Sequence, residues 1–194
     1  VTTTRDTLID ATCDLLEARG YHATGLSKIL EASGAPKGSL YYYFPEGKEA
    51  LAEEAVTRAG ALVAERIQVG LAGKAQPAKA VRNFVMRIAD AVEASGYQAG
   101  GPLQSVALET ANSSRRLNAA CRAAYQRLQA AFAERLTQGG YAPARAAALA
   151  TFVTAAIEGG VILSRTFHSG ESLRQVAREL GRLLALEDAP SGET

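Results

Sequence analysis

The chain has 194 residues, 47% hydrophobic and 21% charged, with a formal net charge of +1. That is an ordinary composition for a globular protein able to bury a core, and charge alone does not point to a nucleic-acid partner. No run reads as a membrane span, which needs roughly eighteen or more apolar residues, and no basic–apolar–small leader opens the chain, so a cytoplasmic protein without membrane contact is expected.

The two cysteines, Cys13 and Cys121, lie far apart in helical patterns and outside any C-x-x-C spacing. They read as buried small hydrophobes rather than a disulfide or a metal site. Two isolated histidines, His22 and His168, make no zinc site. No Ser-His-Asp set, Walker loop or strand-borne G-x-G-x-x-G is present. The chain is therefore expected to be no enzyme and to carry neither metal nor cofactor.

Hydrophobic spacing predicts an all-α fold of about nine helices, with no sustained strand alternation. Thr3 or Thr4 can cap a first helix with Asp6 in its first turn. Leu8, Thr12, Leu15 and Leu16 face inward, and Gly20 ends the helix. Two short helices follow, around 27–32 and 36–43, separated by Gly34. A long helix begins at Lys48, carrying Leu51, Ala55, Leu62 and Ile67, and 70–77 connects it to an amphipathic helix with Val81, Phe84, Val85, Ile88 and Val92.

The glycine-rich stretch 95–102 is a loop, and a short helix spans about 103–109. Leu117, Cys121, Ala124, Leu128, Phe132 and Leu136 line the next long helix. The stretch 145–167 is apolar over more than half its circumference, so it is expected to be buried on two sides. A last helix, about 172–186, carries Leu173, Val176, Leu180, Leu183 and Leu184. The predicted division is a reading head over 1–47, a larger helical domain over 48–187 and a disordered tail over 188–194.

Residues 24–48, TGLSKILEASGAPKGSLYYYFPEGK, carry the functional signal. Two short helices joined by a tight turn follow the helix-turn-helix plan. Leu40 and Phe44 lie four apart on one face and can pack inward. The other face presents Lys37, Gly38, Ser39, Tyr41 and Tyr42, a set of cation, hydroxyl and phenol groups suited to base edges and phosphates. Gly38 inside a helix costs about 1 kcal/mol against alanine, a cost consistent with close approach of backbone to DNA. Lys48 opens the next helix, where its ammonium and nearby N–H groups can hold a phosphate. Residues 1–48 nevertheless hold five Lys/Arg against six Asp/Glu, so the head is not basic overall.

The stretches LIDATCDLLEARGYHAT and ILEASGAPKGSLYYYFPEGKEAL closely resemble the DNA-binding head of the TetR (tetracycline repressor) family. GAPKGSLYYYFP with GKEAL is similar to its LmrA/YxaF-like branch. The resemblance is strong over about the first 60 residues and weaker beyond. It implies major-groove contact by Lys37, Gly38, Ser39, Tyr41 and Tyr42, and phosphate contact by Thr24, Tyr43 and Lys48. Gly25 and Pro36 depart from the family pattern, which can shift capping at the start of the second helix to Thr24 or Ser27.

Helix-turn-helix readers usually bind as dimers. The two-faced helix and the last helix are the natural interface, through Phe152, Val153, Ala156, Gly160, Leu163, Leu173, Val176 and Leu180. Candidate walls of an effector pocket are Phe84, Ile88, Leu103, Val106, Tyr125, Leu128 and Phe152, with Glu109 as a polar anchor. The pocket as a whole is what the resemblance implies, for a small apolar or aromatic effector. The expected protein is a homodimeric regulator of a DNA operator, a repressor by the family's habit. An all-helical carrier or interaction module without DNA binding is the alternative.

Overall fold

The computed structural model describes residues 3–101 and 103–187. Within them lie nine helices and no strand: α1 (Thr4–Arg19), α2 (Leu26–Ser33), α3 (Lys37–Tyr43), α4 (Lys48–Leu71), α5 (Pro77–Ala94), α6 (Gln104–Thr110), α7 (Arg115–Gln138), α8 (Pro143–Phe167) and α9 (Glu171–Glu187). The tail expected to be disordered, 188–194, lies outside the described residues.

The described residues form two compact units, one within 1–62 and 101–126, the other within 63–100 and 127–194. This division does not follow the sequence boundary at 47/48. The first unit joins the head to the start of α4, to α6 and to the first half of α7.

In the first unit, α1 opens on a capping box: the Thr3 hydroxyl accepts from the Asp6 amide and the Asp6 carboxylate accepts from the Thr3 amide. Leu8, Ile9, Thr12 and Leu16 form its buried face. Gly20 stops it at φ 76°, and Gly34 stops α2 at φ 64°, conformations that favour glycine. Packing of α1 on α2, α3 and α6 closes a core that includes Ile29, Leu40, Phe44 and Leu51. A Cβ on Gly60 would stand 2.5 Å from the Cβ of Ala124, so the glycine admits the close approach of α4 and α7.

In the second unit, α5, α8 and α9 pack on one another. Val81, Val85, Ala89, Val153, Val161, Leu173, Ala177 and Leu184 are buried to 1% or less. Arg174 of α9 binds Glu93 and Asp90 of α5, and the Gly170 amide donates to Glu93 Oε1 at 2.9 Å. These partners hold the Glu93 carboxyl down at about 2, the Arg174 bond being the largest cause and the Gly170 amide the next.

The expected apolar face of α7 is buried throughout, from Leu117 to Leu136. Leu62 on α4 departs from its expected stripe and is exposed. α8 is long and apolar enough to cross a membrane by length and composition alone, although no such run was expected. One of its faces is buried by α5 and α9; the other carries Phe152, Leu163 and Phe167 in the open.

Candidate nucleic-acid interface

The site is built on α3. Leu40 is fully buried and Phe44 nearly so, which pins the inner face of this two-turn helix to α1 and sets its outer face by default. Tyr41 is 50% exposed and Tyr42 78%, with Tyr43 partly covered by the edge-on Tyr42 ring at 5.0 Å. Lys37 and Gly38 are exposed, and Ser39 is half-buried. A Cβ built on Gly38 meets nothing within 4 Å. No neighbour among the described residues therefore requires glycine at this helical position.

Three of the head's acids are held by arginines. Asp6 and Asp10 of α1 bind Arg58 at 2.5 and 2.6 Å. The Asp6 carboxyl is lowered to about 2 by hydrogen bonds, first from Thr3 and then from Arg58. Glu46 and Glu53 share Arg116 at 2.6 and 2.5 Å. α3 itself contains no acid. In a head without net positive charge, the one charged side chain of α3 is therefore the Lys37 ammonium.

The phosphate-contact candidates are placed unevenly. Ser27 is exposed near the start of α2, whose cap position Gly25 supplies no side-chain bond. Thr24 departs from expectation: it is 1% exposed, and its hydroxyl donates to the Gly20 carbonyl at 2.7 Å. Its side chain closes the α1–α2 turn rather than facing solvent. The Lys48 ammonium donates to the Tyr21 carbonyl at 2.6 Å and stands 4.0 Å from the centre of the Tyr21 ring. Desolvation lowers its pKa, against an opposing pull from Glu109.

Glu109 is the main surprise. Expected as an effector anchor, it accepts from the His22 amide at 2.7 Å. A Cβ on Gly20 would lie 1.9 Å from Glu109 Oε1, so the carboxylate occupies the notch that the glycine leaves. A contact spanning 87 residues has no signature in local spacing.

The other effector candidates divide between the units. Leu103 and Val106 are buried and Tyr125 half-buried in the first. In the second, Phe84 stacks edge-on to Phe132 at 6.0 Å, Leu128 is buried and Ile88 is half-buried. Phe152 is 54% exposed on α8 and walls no interior space there. It lines instead an open cleft of about 550 Å³ with Ala156, Val176, Leu180 and Leu183.

The interface candidates also separate. Val153, Gly160, Leu173 and Leu180 are buried within the chain, with Gly160 admitting Leu173 to what would be 2.8 Å from a Cβ. Phe152 and Leu163 are exposed, and Ala156 and Val176 are half-buried. Sequence reasoning missed Phe167, 65% exposed, while Gly159, read there as a small residue that admits a close helix, has open space over it. Their spacing carried the signal: positions 152, 156, 159, 163 and 167 fall on one stripe of a 3.6-residue helix.

A short helix held by its inner face, with a cation, a bare backbone position and phenols outside, defines the class: a helix-turn-helix DNA-binding protein. Residues 8–55 match the model of the bacterial regulatory proteins of the tetR family, and residues 77–179 that of the LmrA/YxaF-like transcriptional regulator C-terminal domain. The chain is 37% identical to the HTH-type transcriptional regulator YxaF of Bacillus subtilis, over 91% of this chain and 92% of that one. It is 35% identical to LmrA of the same organism, over 93% and 96%. A TetR transcriptional regulator from Chloroflexus aurantiacus superposes with a TM-score of 0.78 at 26% identity, over 94% of each chain. One from Legionella pneumophila, at 17% identity, shares the fold with a TM-score of 0.82 over 94% of this chain and 98% of that one. The chain belongs to the TetR family of transcriptional regulators, in its LmrA/YxaF-like branch, and is a sequence-specific DNA-binding regulator.

Proposed function

We propose that this regulator is a cytoplasmic homodimeric repressor that places two copies of α3 in successive major grooves of a palindromic operator and leaves it when a small apolar or aromatic effector binds. Residues 1–47 read DNA, and residues 48–187 supply the dimer contact and the effector site. The observation that carries this reading is the outer face of α3. Lys37, Ser39, Tyr41 and Tyr42 reach base edges, and Gly38 lets the helix backbone lie close to them. Ser27, Tyr43 and Lys48 hold phosphates, and buried Thr24 keeps the α1–α2 turn in shape.

The dimer contact is the exposed α8 stripe of Phe152, Ala156, Leu163 and Phe167 with the neighbouring Val176 of α9. Two such helix pairs across a two-fold axis make a four-helix bundle. The open position at Gly159 lets a partner helix approach. Leu173 and Leu180 support this face from behind.

An effector releases the operator only through a higher affinity for the conformer that cannot span both half-sites. The test is binding to DNA upstream of the protein's own gene, measured alone and with each of a panel of aromatic compounds. The expected result is tight binding that one compound weakens at least tenfold. Tight binding that responds to none would remove the effector part. No specific binding would favour the carrier.

A further inference from the structure

The Gly20–Tyr21–His22 turn is gripped from two sides. Glu109 of α6 accepts the His22 amide and fills the notch over Gly20. Lys48, the first residue of α4, holds the Tyr21 carbonyl and covers its ring. The two grips meet on consecutive residues, so the place of the Lys48 ammonium depends on where Glu109 keeps the turn. Without the carboxylate the His22 amide loses this acceptor. A turn whose Gly20 sits at φ 76° then has other conformations open to it.

We propose that Glu109 is a positioning residue for DNA binding, which holds the α1–α2 turn so that the Lys48 ammonium stands where a phosphate can take it. This rests on Lys48 contacting phosphate, as proposed above. Glu109 touches no DNA in this account and is no effector ligand. Its action runs through a backbone amide and one cation. It opposes the through-space effect of its charge, which by itself would repel DNA.

The two effects have opposite signs, which makes the proposal testable. The probe is a duplex enriched by the wild-type protein from a randomised pool, with affinity measured from low to moderate salt. Glu109→Ala is expected to weaken binding about tenfold and to flatten the salt dependence by about one phosphate per head, since each phosphate contact contributes a slope of about 0.9. Lys48→Met is expected to do the same. The double variant is expected to match Lys48→Met alone, because both act on one contact. Glu109→Gln keeps an acceptor for the His22 amide and is expected to stay within about threefold of wild type with an unchanged slope.

Tighter binding by Glu109→Ala would overturn the proposal in favour of simple charge repulsion. An equal loss with and without Lys48 would overturn it too, as would a folded Glu109→Gln that loses as much as Glu109→Ala. In these cases DNA reading itself still stands. A wild-type protein that enriches no duplex strikes the DNA-binding reading first and this inference with it; a Lys48→Met with an unchanged slope removes the Lys48 phosphate contact, and with it this inference, while the reading by α3 stands.

Discussion

Gly38 separates the demands of folding from those of DNA. Nothing among the described residues meets a Cβ there, and alanine is the better helix former by about 1 kcal/mol. Gly38→Ala should therefore leave the melting temperature unchanged or raise it, while operator affinity falls at least tenfold. Thermal unfolding and a binding titration on the same sample check both halves. Lys37→Ala should relax sequence preference, because its exposed ammonium is free for base acceptors. The outer face of α3 was legible from sequence because Leu40 and Phe44, four residues apart, fix its phase. The roles of Thr24 and Glu109 were not. The Thr24 hydroxyl folds back on Gly20, and Glu109 reaches a turn 87 residues away. Residue type gives no hint of either partner.

Among the elements, the clamp between α5 and α9 makes a pH prediction. The Glu93 carboxyl is held at about 2, well below the ordinary carboxylate range, by Arg174 and the Gly170 amide. A lowered folded-state pKa contributes stability above the unfolded value, and that contribution disappears as pH falls toward the folded one. Between about pH 5 and pH 2 the wild type should thus lose more stability than Glu93→Gln, which lacks the titrating group. Denaturant unfolding across that window measures it; parallel curves would contradict the clamp. Leu173→Ala should cost about 2–5 kcal/mol, as a fully buried leucine facing Gly160. Helix existence was readable from spacing and breakers, down to Pro143 at the start of α8, although Pro77, read as the end of a connector, is the first residue of α5. The burial of α8 on two sides, expected from its apolar circumference, is seen within the chain on one side only. Which residues served each face was not legible, because an apolar run does not say which side α5 and α9 cover.

The whole molecule, as proposed, couples a reading head to a dimer and an effector response. Phe152→Glu places a charge on an exposed stripe rather than in the core, since this side chain is 54% exposed. It should yield folded monomers by sedimentation, with unchanged helicity and much weaker operator binding. A stable dimer would move the interface elsewhere. Most of the fold was legible in the chain because its helices carry their own breakers and periodicity. The effector site was the least legible part, since its proposed walls come from distant segments that local spacing does not bring together. The most direct test of the central claim is the salt dependence of binding to the duplex the protein itself selects, set against a scrambled duplex of equal length. Affinity for the selected duplex should fall steeply with salt yet stay at least a hundredfold above the scrambled one. Equal affinity for the two at every salt would contradict it.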